Sequence, residues 1–561
     1  MRKVKCDNSQ PQCSNCRMSD LSCVYATALK RRGPKPRGTY HAPDIVPGPR
    51  PLPEAAVPMP WGPPEPSPVL TRCNRCLADS SLFTVPSTSE YSGAMLDHCG
   101  PLARLKAELS TALAGQSLES LVTECIDVYM KLLFPLMPIV HELTLRSNTS
   151  SILCDNGGNV STPSHPSPGD NINGENSMDF SSMAKLRLAT LITAVCAESA
   201  LVLPAELFPK GPLLGEPFLR ASRSLLRSFS EQDIERPVAT SVIVRYFHSN
   251  CLHAAGKTRL SWYAIGEAIR LAQDMQLYSE TSLQGLDEVE TQLRRSIFWQ
   301  LFTGDKSSAV LNSRPITLCE VLGPAKFTTM ELSLEDTHLM DHTSEHNTVE
   351  FEQRLNVGFN LCQRLWTRAA HLLLQLRASL ANLECSERDA VLSWGEESSI
   401  MQAYVAFSTA LDDLPSWLQQ PNSVILAGST TTQEYQRRCF WSQRANLYVS
   451  FHCLRMIVLQ RFAECNLSGL LGFTDKPALL GLRITDIAQD MIKVIQEAPF
   501  ESIQVNGEPC VEKIRQIGAS LLQIAHDTEN QSIATRAKTD FAYLLDVLAR
   551  LDSKASDSLA T

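Results

Sequence analysis

Four cysteines fall within the first 23 residues, in the order Cys6-x6-Cys13-x2-Cys16-x6-Cys23. The peptide they span, CDNSQPQCSNCRMSDLSC, is nearly devoid of apolar side chains and cannot fold around a hydrophobic core. Its thiols must hold it together. Soft thiolates form short bonds to zinc, four of them satisfy a tetrahedral ion, and a two-residue gap lets one turn aim two sulfurs at the same metal. Metal binding would then supply most of the folding free energy. Scattered free thiols and a redox pair at Cys13 and Cys16 are the competing readings. No βαβ pattern surrounds that pair, which argues against redox chemistry. Zinc is the expected ion, with Cys6, Cys13, Cys16 and Cys23 as its ligands.

Charge is divided unevenly around this cluster. Residues 1–40 carry nine Lys/Arg against Asp7 and Asp20, a balance of +7, whereas the whole chain is −9 and the remainder therefore −16. A basic head on an acidic body suggests that only the head faces a polyanion. The most apolar stretch, LATLITAVCAESALVL (188–203), is interrupted by Glu198 and is too short for a membrane span. No apolar leader segment follows the N-terminal basic residues, so an intracellular, reducing setting is expected. There the scattered cysteines of the body would act as small buried hydrophobes.

The chain divides into a cysteine cluster (1–24), a linker (25–99), a helical region (100–340), a second helical region (341–550) and a disordered tail (551–561). The linker opens on KRRGPKPRG and carries eleven prolines between 43 and 68, which forbid helices and strand ladders. From residue 100 onward the apolar residues recur at helical spacing, with a polar Gly/Ser/Asn/Pro-rich insert at 147–177 expected to be a disordered loop. The expected fold is all-α: a small N-terminal zinc site, a disordered Pro-rich linker and a large multi-helix domain. Two segments carry the clearest periodicity. In SWYAIGEAIRLAQDMQLYSE (261–280), Trp262, Ile265, Ile269, Ala272 and Met275 form one stripe, with Ser261 as the expected N-cap. In ETQLRRSIFWQLFTGDKSSAVL (290–311), Leu293, Ile297 and Leu301 with Phe298 and Phe302 give a broad apolar face.

The N-terminal pattern resembles the fungal binuclear zinc-cluster (Zn2Cys6) transcription factors. Their order is Cys-x2-Cys-x6-Cys, a loop, Cys-x2-Cys and a last Cys six to eight residues on, with a basic stretch Arg-x-Arg-Lys-x-Lys-Cys-Asp. Here Arg2-Lys3-Val4-Lys5-Cys6-Asp7, Pro11, Cys13, Cys16 and Cys23 stand in register with the last four cysteines of that pattern. By the family spacing two cysteines precede Met1, one of them a bridging ligand. The chain is therefore expected to begin inside the motif, with four thiolates for a site built for six. The resemblance implies double-stranded DNA as partner, with CGG-type half-sites, Lys3 reading guanine O6 and N7, and Arg2 assisting. Lys5, Arg17, Lys30, Arg31, Arg32, Lys35 and Arg37 would meet phosphates. The linker cations equally fit a nuclear-import signal, and both roles can share them.

The resemblance extends into the body. Trp262, Gly266, Ala268, Ile269, Arg270, Leu271 and Ala272, then Arg294, Arg295, Phe298, Trp299, Leu301, Asp305, Arg314 and Pro315, match segments of the fungal-specific regulatory domain, with Ser313 where glycine is common. Arg295 and Asp305 are read as a structural charged pair rather than a catalytic one. His248, Cys251 and His253 are read as ordinary helix residues, not metal ligands, and Cys73 and Cys76 lack a partner pair. The segment 330–353, which mixes acids and hydrophobes, is read as an acidic surface loop, with an activation patch as the alternative. A pocket between the helices that binds a small effector is a further implication.

The family implies a nuclear, zinc-dependent, sequence-specific regulator of RNA polymerase II transcription that controls a metabolic or secondary-metabolite gene set. It would work with the transcription machinery, either as a homodimer or alone, since PLARLKAELSTALAG (101–115) is too short to establish a coiled coil. The alternative is a truncated regulator that lacks competent DNA binding and acts through protein partners. No enzyme activity and no membrane association are expected.

Overall fold

The computed structural model describes residues 100–112, 115–153, 180–318, 338–384, 392–472 and 476–551. Every metal-ligand and DNA-contact residue expected above, from Arg2 to Arg37, lies outside them, as do Cys73 and Cys76. The described residues contain helices and no β-strand. In chain order the helices are α1 (Pro101–Ala112), α2 (Leu118–Val128), α3 (Glu142–Leu153), α4 (Phe180–Val202), α5 (Gly211–Ser228), α6 (Ser230–Glu235), α7 (Ala239–Ala254), α8 (Thr258–Asp274) and α9 (Glu288–Asn312). After the next undescribed stretch come α10 (Val349–Glu384), α11 (Trp394–Ser408), α12 (Ser416–Gln419), α13 (Thr430–Glu464), α14 (Pro477–Glu497), α15 (Phe500–Gln504), α16 (Gly507–Asp527) and α17 (Gln531–Arg550).

Two helices organise the packing. The apolar run noted in the sequence becomes α4, whose residues from Ala189 to Ala200 are buried on every side. It packs against α2, α5 and α7. In the second half α13 plays the same part against α10, α14, α15 and α16. A single apolar core joins Leu121 and Ile192 to Phe298, Phe351 and Phe440, so the helices before and after residue 340 share one interior.

Local chemistry sets the helix ends. The Ser117 hydroxyl accepts from Ser120 N–H at 3.1 Å, and the Asp287 carboxylate caps α9 through Glu290 N–H at 2.9 Å. Ser393 and Glu396 form a reciprocal capping box at the start of α11. Helix α2 ends in one π turn, Tyr129–Leu133, where Phe134 N–H reaches back to Tyr129 O at 2.8 Å. Pro135, with no N–H to give, stops the helix there.

Three expectations are corrected. Helix α8 begins at Thr258 with Lys257 at its N-cap, so Ser261 lies inside the helix. The peptide 147–153, expected to open a disordered insert, is the last two turns of α3. There Ser147, Asn148 and Thr149 return their side-chain hydrogen bonds to the carbonyls of Leu143, Thr144 and Leu145, which lets polar residues continue a helix. Finally, the described part of 330–353 is a surface loop only as far as Thr348: from Val349 it is the first turn of α10, and Glu352 is buried.

Candidate functional site

The halves of the body meet around a cavity of about 380 Å³, within the size range of small-molecule sites. The sequence creates the space locally. On α9, Gly304, Ser307 and Ser308 replace the bulky apolar residues of the preceding turns, and Gly304 faces Ile265 of α8. On α10, Gly358 lies against the Gln443 carboxamide, and a Cβ there would collide with it. The π turn and Pro135 deliver Leu133, Leu136 and Met137 to the same wall.

Apolar and polar groups share the lining. Trp262, Ile265, Phe359 and Trp366 supply hydrophobic surface. The Arg314 guanidinium stacks 4.2 Å over the Trp262 ring, and Lys513 Nζ stands 5.5 Å from the Trp366 ring centre. Lys513 donates to Ser450 Oγ at 2.8 Å and to Asn446 Oδ1 at 3.3 Å. His253 pairs with Glu512 at 3.1 Å, a contact that outweighs burial, raises the imidazole pKa and lowers that of the carboxyl. Gln443 Nε2 donates to Pro135 O and Leu355 O, leaving its buried Oε1 without a hydrogen-bond partner. A ligand with a donor group would complete that acceptor.

Glu198 is the unusual member of the lining. Burial raises its pKa to about 8, and Asn250 Nδ2 and Cys251 Sγ sit at 2.9 and 3.4 Å from its two oxygens. The carboxyl is therefore mostly protonated at neutral pH. Because the folded pKa exceeds the unfolded value, its contribution to stability is full below about 4.5 and is lost as pH rises through about 8. Burial acts the opposite way on His248 and His452, lowering them to about 3 and about 4, so these two destabilise the fold as pH falls below their unfolded value of 6.5. Between pH 6.5 and 8.5 the raised Glu198 and His253 act in the same direction. We expect the melting temperature to fall across that interval and the fall to be reduced in Glu198→Gln, with the His253 part remaining, as read by circular dichroism.

The residues singled out in the sequence separate into distinct roles. Trp262 and Arg314 meet at the cavity rim. Asp305 is fully buried and accepts from Thr317 N–H at 3.0 Å and Leu318 N–H at 2.8 Å, which ties the turn after α9 to the helix. It does not pair with Arg295, whose guanidinium bonds Glu280 at 3.0 Å. Ser313 has φ 53°, a left-handed conformation that explains why glycine suits this position. His248, Cys251 and His253 turn to three different partners, Ser222, Glu198 and Glu512, and converge on no common point.

No nucleophile–base arrangement lines the cavity among the described residues. Burial raises the Cys251 and Cys362 thiols away from the reactive thiolate form. The Ser222–His248 contact of 2.9 Å is buried in the core, and the Ser222 hydroxyl is committed to Thr190 O at 2.9 Å. The chemistry on offer is binding. Cavity members such as Glu198, Gln443 and Lys513 escaped the sequence reading because they meet only through long-range packing. The one legible signal was a glutamate interrupting an apolar run.

Comparison with known proteins agrees with this reading. Residues 126–376 match the family model described as the fungal specific transcription factor domain, and residues 1–32 match that of the fungal Zn(2)-Cys(6) binuclear cluster domain. Both matches are to domains of the fungal Zn2Cys6 transcription factors, a family of regulators and not of enzymes. Its cluster domain is one that binds zinc, and the thiolate donors of Cys6, Cys13, Cys16 and Cys23 suit that ion. Among curated proteins, the chain is similar to the probable transcription factor sol4 of Alternaria solani. The two are 27% identical over 128 residues, 21% of this chain and 23% of that protein, so the chain spans less than a quarter of the relative's length. No solved structure gives a significant match. No described helix is long and apolar enough to cross a membrane.

Proposed function

We propose that the chain is a zinc-dependent, sequence-specific DNA-binding regulator of RNA polymerase II transcription. It acts in the nucleus on a metabolic or secondary-metabolite gene set. The observation that carries this reading is the pairing of a basic, cysteine-rich head at 1–32 with a fungal specific transcription factor domain at 126–376. The head supplies zinc thiolates and cations, while the helical body supplies a cavity suited to an effector.

In this reading Cys6, Cys13, Cys16 and Cys23 hold zinc and shape the head. Lys3, assisted by Arg2, reads CGG-type half-sites through guanine acceptors. Lys5, Arg17, Lys30, Arg31, Arg32, Lys35 and Arg37 neutralise phosphates and make the affinity fall steeply with salt. Homodimerisation would place two heads on paired half-sites. A binding experiment on the full chain separates these roles. Lys3→Ala is expected to cost about 1–3 kcal/mol at the preferred site and to flatten discrimination between sites. Arg32→Ala is expected to weaken all DNA alike and to reduce the salt slope by about one unit. Uniform loss from both substitutions would refute the assignment of base reading to Lys3.

A further inference from the structure

The segment before α10 brings three metal-ligand atoms together away from the cavity. His338 and His342 lie on the loop, and Glu352 projects from the first turn of α10. His342 Nε2 is 2.8 Å from Glu352 Oε2, His338 Nδ1 is 3.7 Å from the same oxygen, and all three atoms lie within 4.8 Å of one another. The imidazole rings are 4.4 Å apart between centres.

The carboxylate is fixed by its surroundings. Glu352 is buried, its Oε1 accepts from Leu339 N–H at 2.7 Å, and Met340 N–H approaches Oε2 at 3.3 Å. Backbone donors that orient a ligating carboxylate in this way are a usual supporting feature of metal sites. Two imidazoles compete for one carboxylate oxygen, whereas a cation among them would engage both rings and the oxygen at once. Zinc–nitrogen and zinc–oxygen bonds of about 2.0–2.2 Å place tetrahedral ligand atoms roughly 3.3 Å apart. The present separations bracket that value, so side-chain rotations of a fraction of an ångström to about 1.5 Å would complete the set. The His338 and His342 side chains are 33% and 22% exposed, which leaves an approach for the ion and for a water ligand.

We propose that His338, His342 and Glu352 form a second zinc site, in the helical body and independent of the cysteine cluster. Two imidazoles and one carboxylate favour zinc over magnesium, which prefers an all-oxygen octahedron. The site would lock a loop that already joins two helix starts. Leu339 O accepts from Glu142 N–H at 2.8 Å at the head of α3, and Asp341 N–H donates to Glu142 Oε2 at 2.8 Å. Zinc would thus fasten the loop to α10 as hydrogen bonds fasten it to α3.

The test uses the full chain with Cys6, Cys13, Cys16 and Cys23 changed to serine, so that thiolate-bound zinc does not contribute. After equilibration with micromolar free zinc, we expect one zinc per chain by elemental analysis. The same chain carrying His338→Ala and His342→Ala should hold none while keeping its helical circular dichroism. Zinc should raise the melting temperature of the first chain and not of the second, and magnesium should affect neither. A cobalt(II) titration of the first chain should give nitrogen/oxygen-type visible bands, a readout that does not depend on the histidine variant folding. Equal zinc in both chains, or neither bound zinc nor cobalt bands in the first, would overturn the proposal.

Discussion

Alanine at Asp233 is expected to destabilise the helical body by roughly 3–5 kcal/mol, the usual result of stripping the partner from a buried charge. Asp233, in α6, is fully buried and gathers three donors from elsewhere in the fold. Arg245 Nη1 donates to it at 2.7 Å, Arg187 Nε at 2.9 Å and Ser241 Oγ at 2.6 Å. Arg245 is itself 4% exposed, so losing the carboxylate leaves a guanidinium in the core with no countercharge from this residue. The carboxylate also joins α4, α6 and α7, and its loss should loosen all three together. Urea unfolding followed by helical circular dichroism reads the effect as a lower midpoint. Adding Arg245→Met should restore part of the loss, because removing both charges costs less than removing one. A loss of unfolding free energy below about 1 kcal/mol for Asp233→Ala would show that this network contributes little.

Alanine at Asp305 should cost about 2–5 kcal/mol, since it removes the acceptor of two backbone N–H groups, those of half-buried Thr317 and buried Leu318. The neighbouring Lys306 is also buried, donates to Leu318 O and lies 4.1 Å from the Phe302 ring centre, so the same turn is held from two successive residues. The damage should be concentrated in the turn 313–318, where Arg314 stacks on Trp262 at the cavity rim. Asparagine keeps one acceptor oxygen and should lose less than alanine. Thermal melting measures the loss, and limited proteolysis should show earlier cleavage near 313–318 in Asp305→Ala. Unchanged cleavage there would contradict the assigned role.

The contrast between these two aspartates shows what a sequence makes readable. Helices α8 and α9 were legible because their apolar residues repeat at three- and four-residue steps, a pattern set by the helix itself. Asp305 stood out by resemblance, but its partner did not: the sequence suggested Arg295, whereas backbone groups 12 and 13 residues later take the carboxylate. Asp233 carried no local signal, because its donors lie 8, 12 and 46 residues away and meet it only after packing. The end of α3 was misread because serine, threonine and asparagine satisfy local backbone carbonyls either in a loop or, as here, in a helix. The acidic pattern around Glu352 suggests a surface residue, since charge alone does not reveal the backbone donors that hold the buried carboxylate. The cavity combines residues from 133 to 513, a convergence that no window of sequence contains.

The proposed zinc ligands and DNA-contacting cations at 1–37 rest on residue type and spacing alone. The most direct test is therefore sequence-selective DNA binding by the purified full chain, before and after zinc removal by a chelator, across a salt series. The account predicts preferential binding to CGG-containing duplexes, loss of that preference when zinc is removed, recovery on adding zinc back, and weaker binding as salt rises. Zinc-replete, folded protein that shows no preference for any duplex over random DNA would contradict it and favour a regulator that works through protein partners.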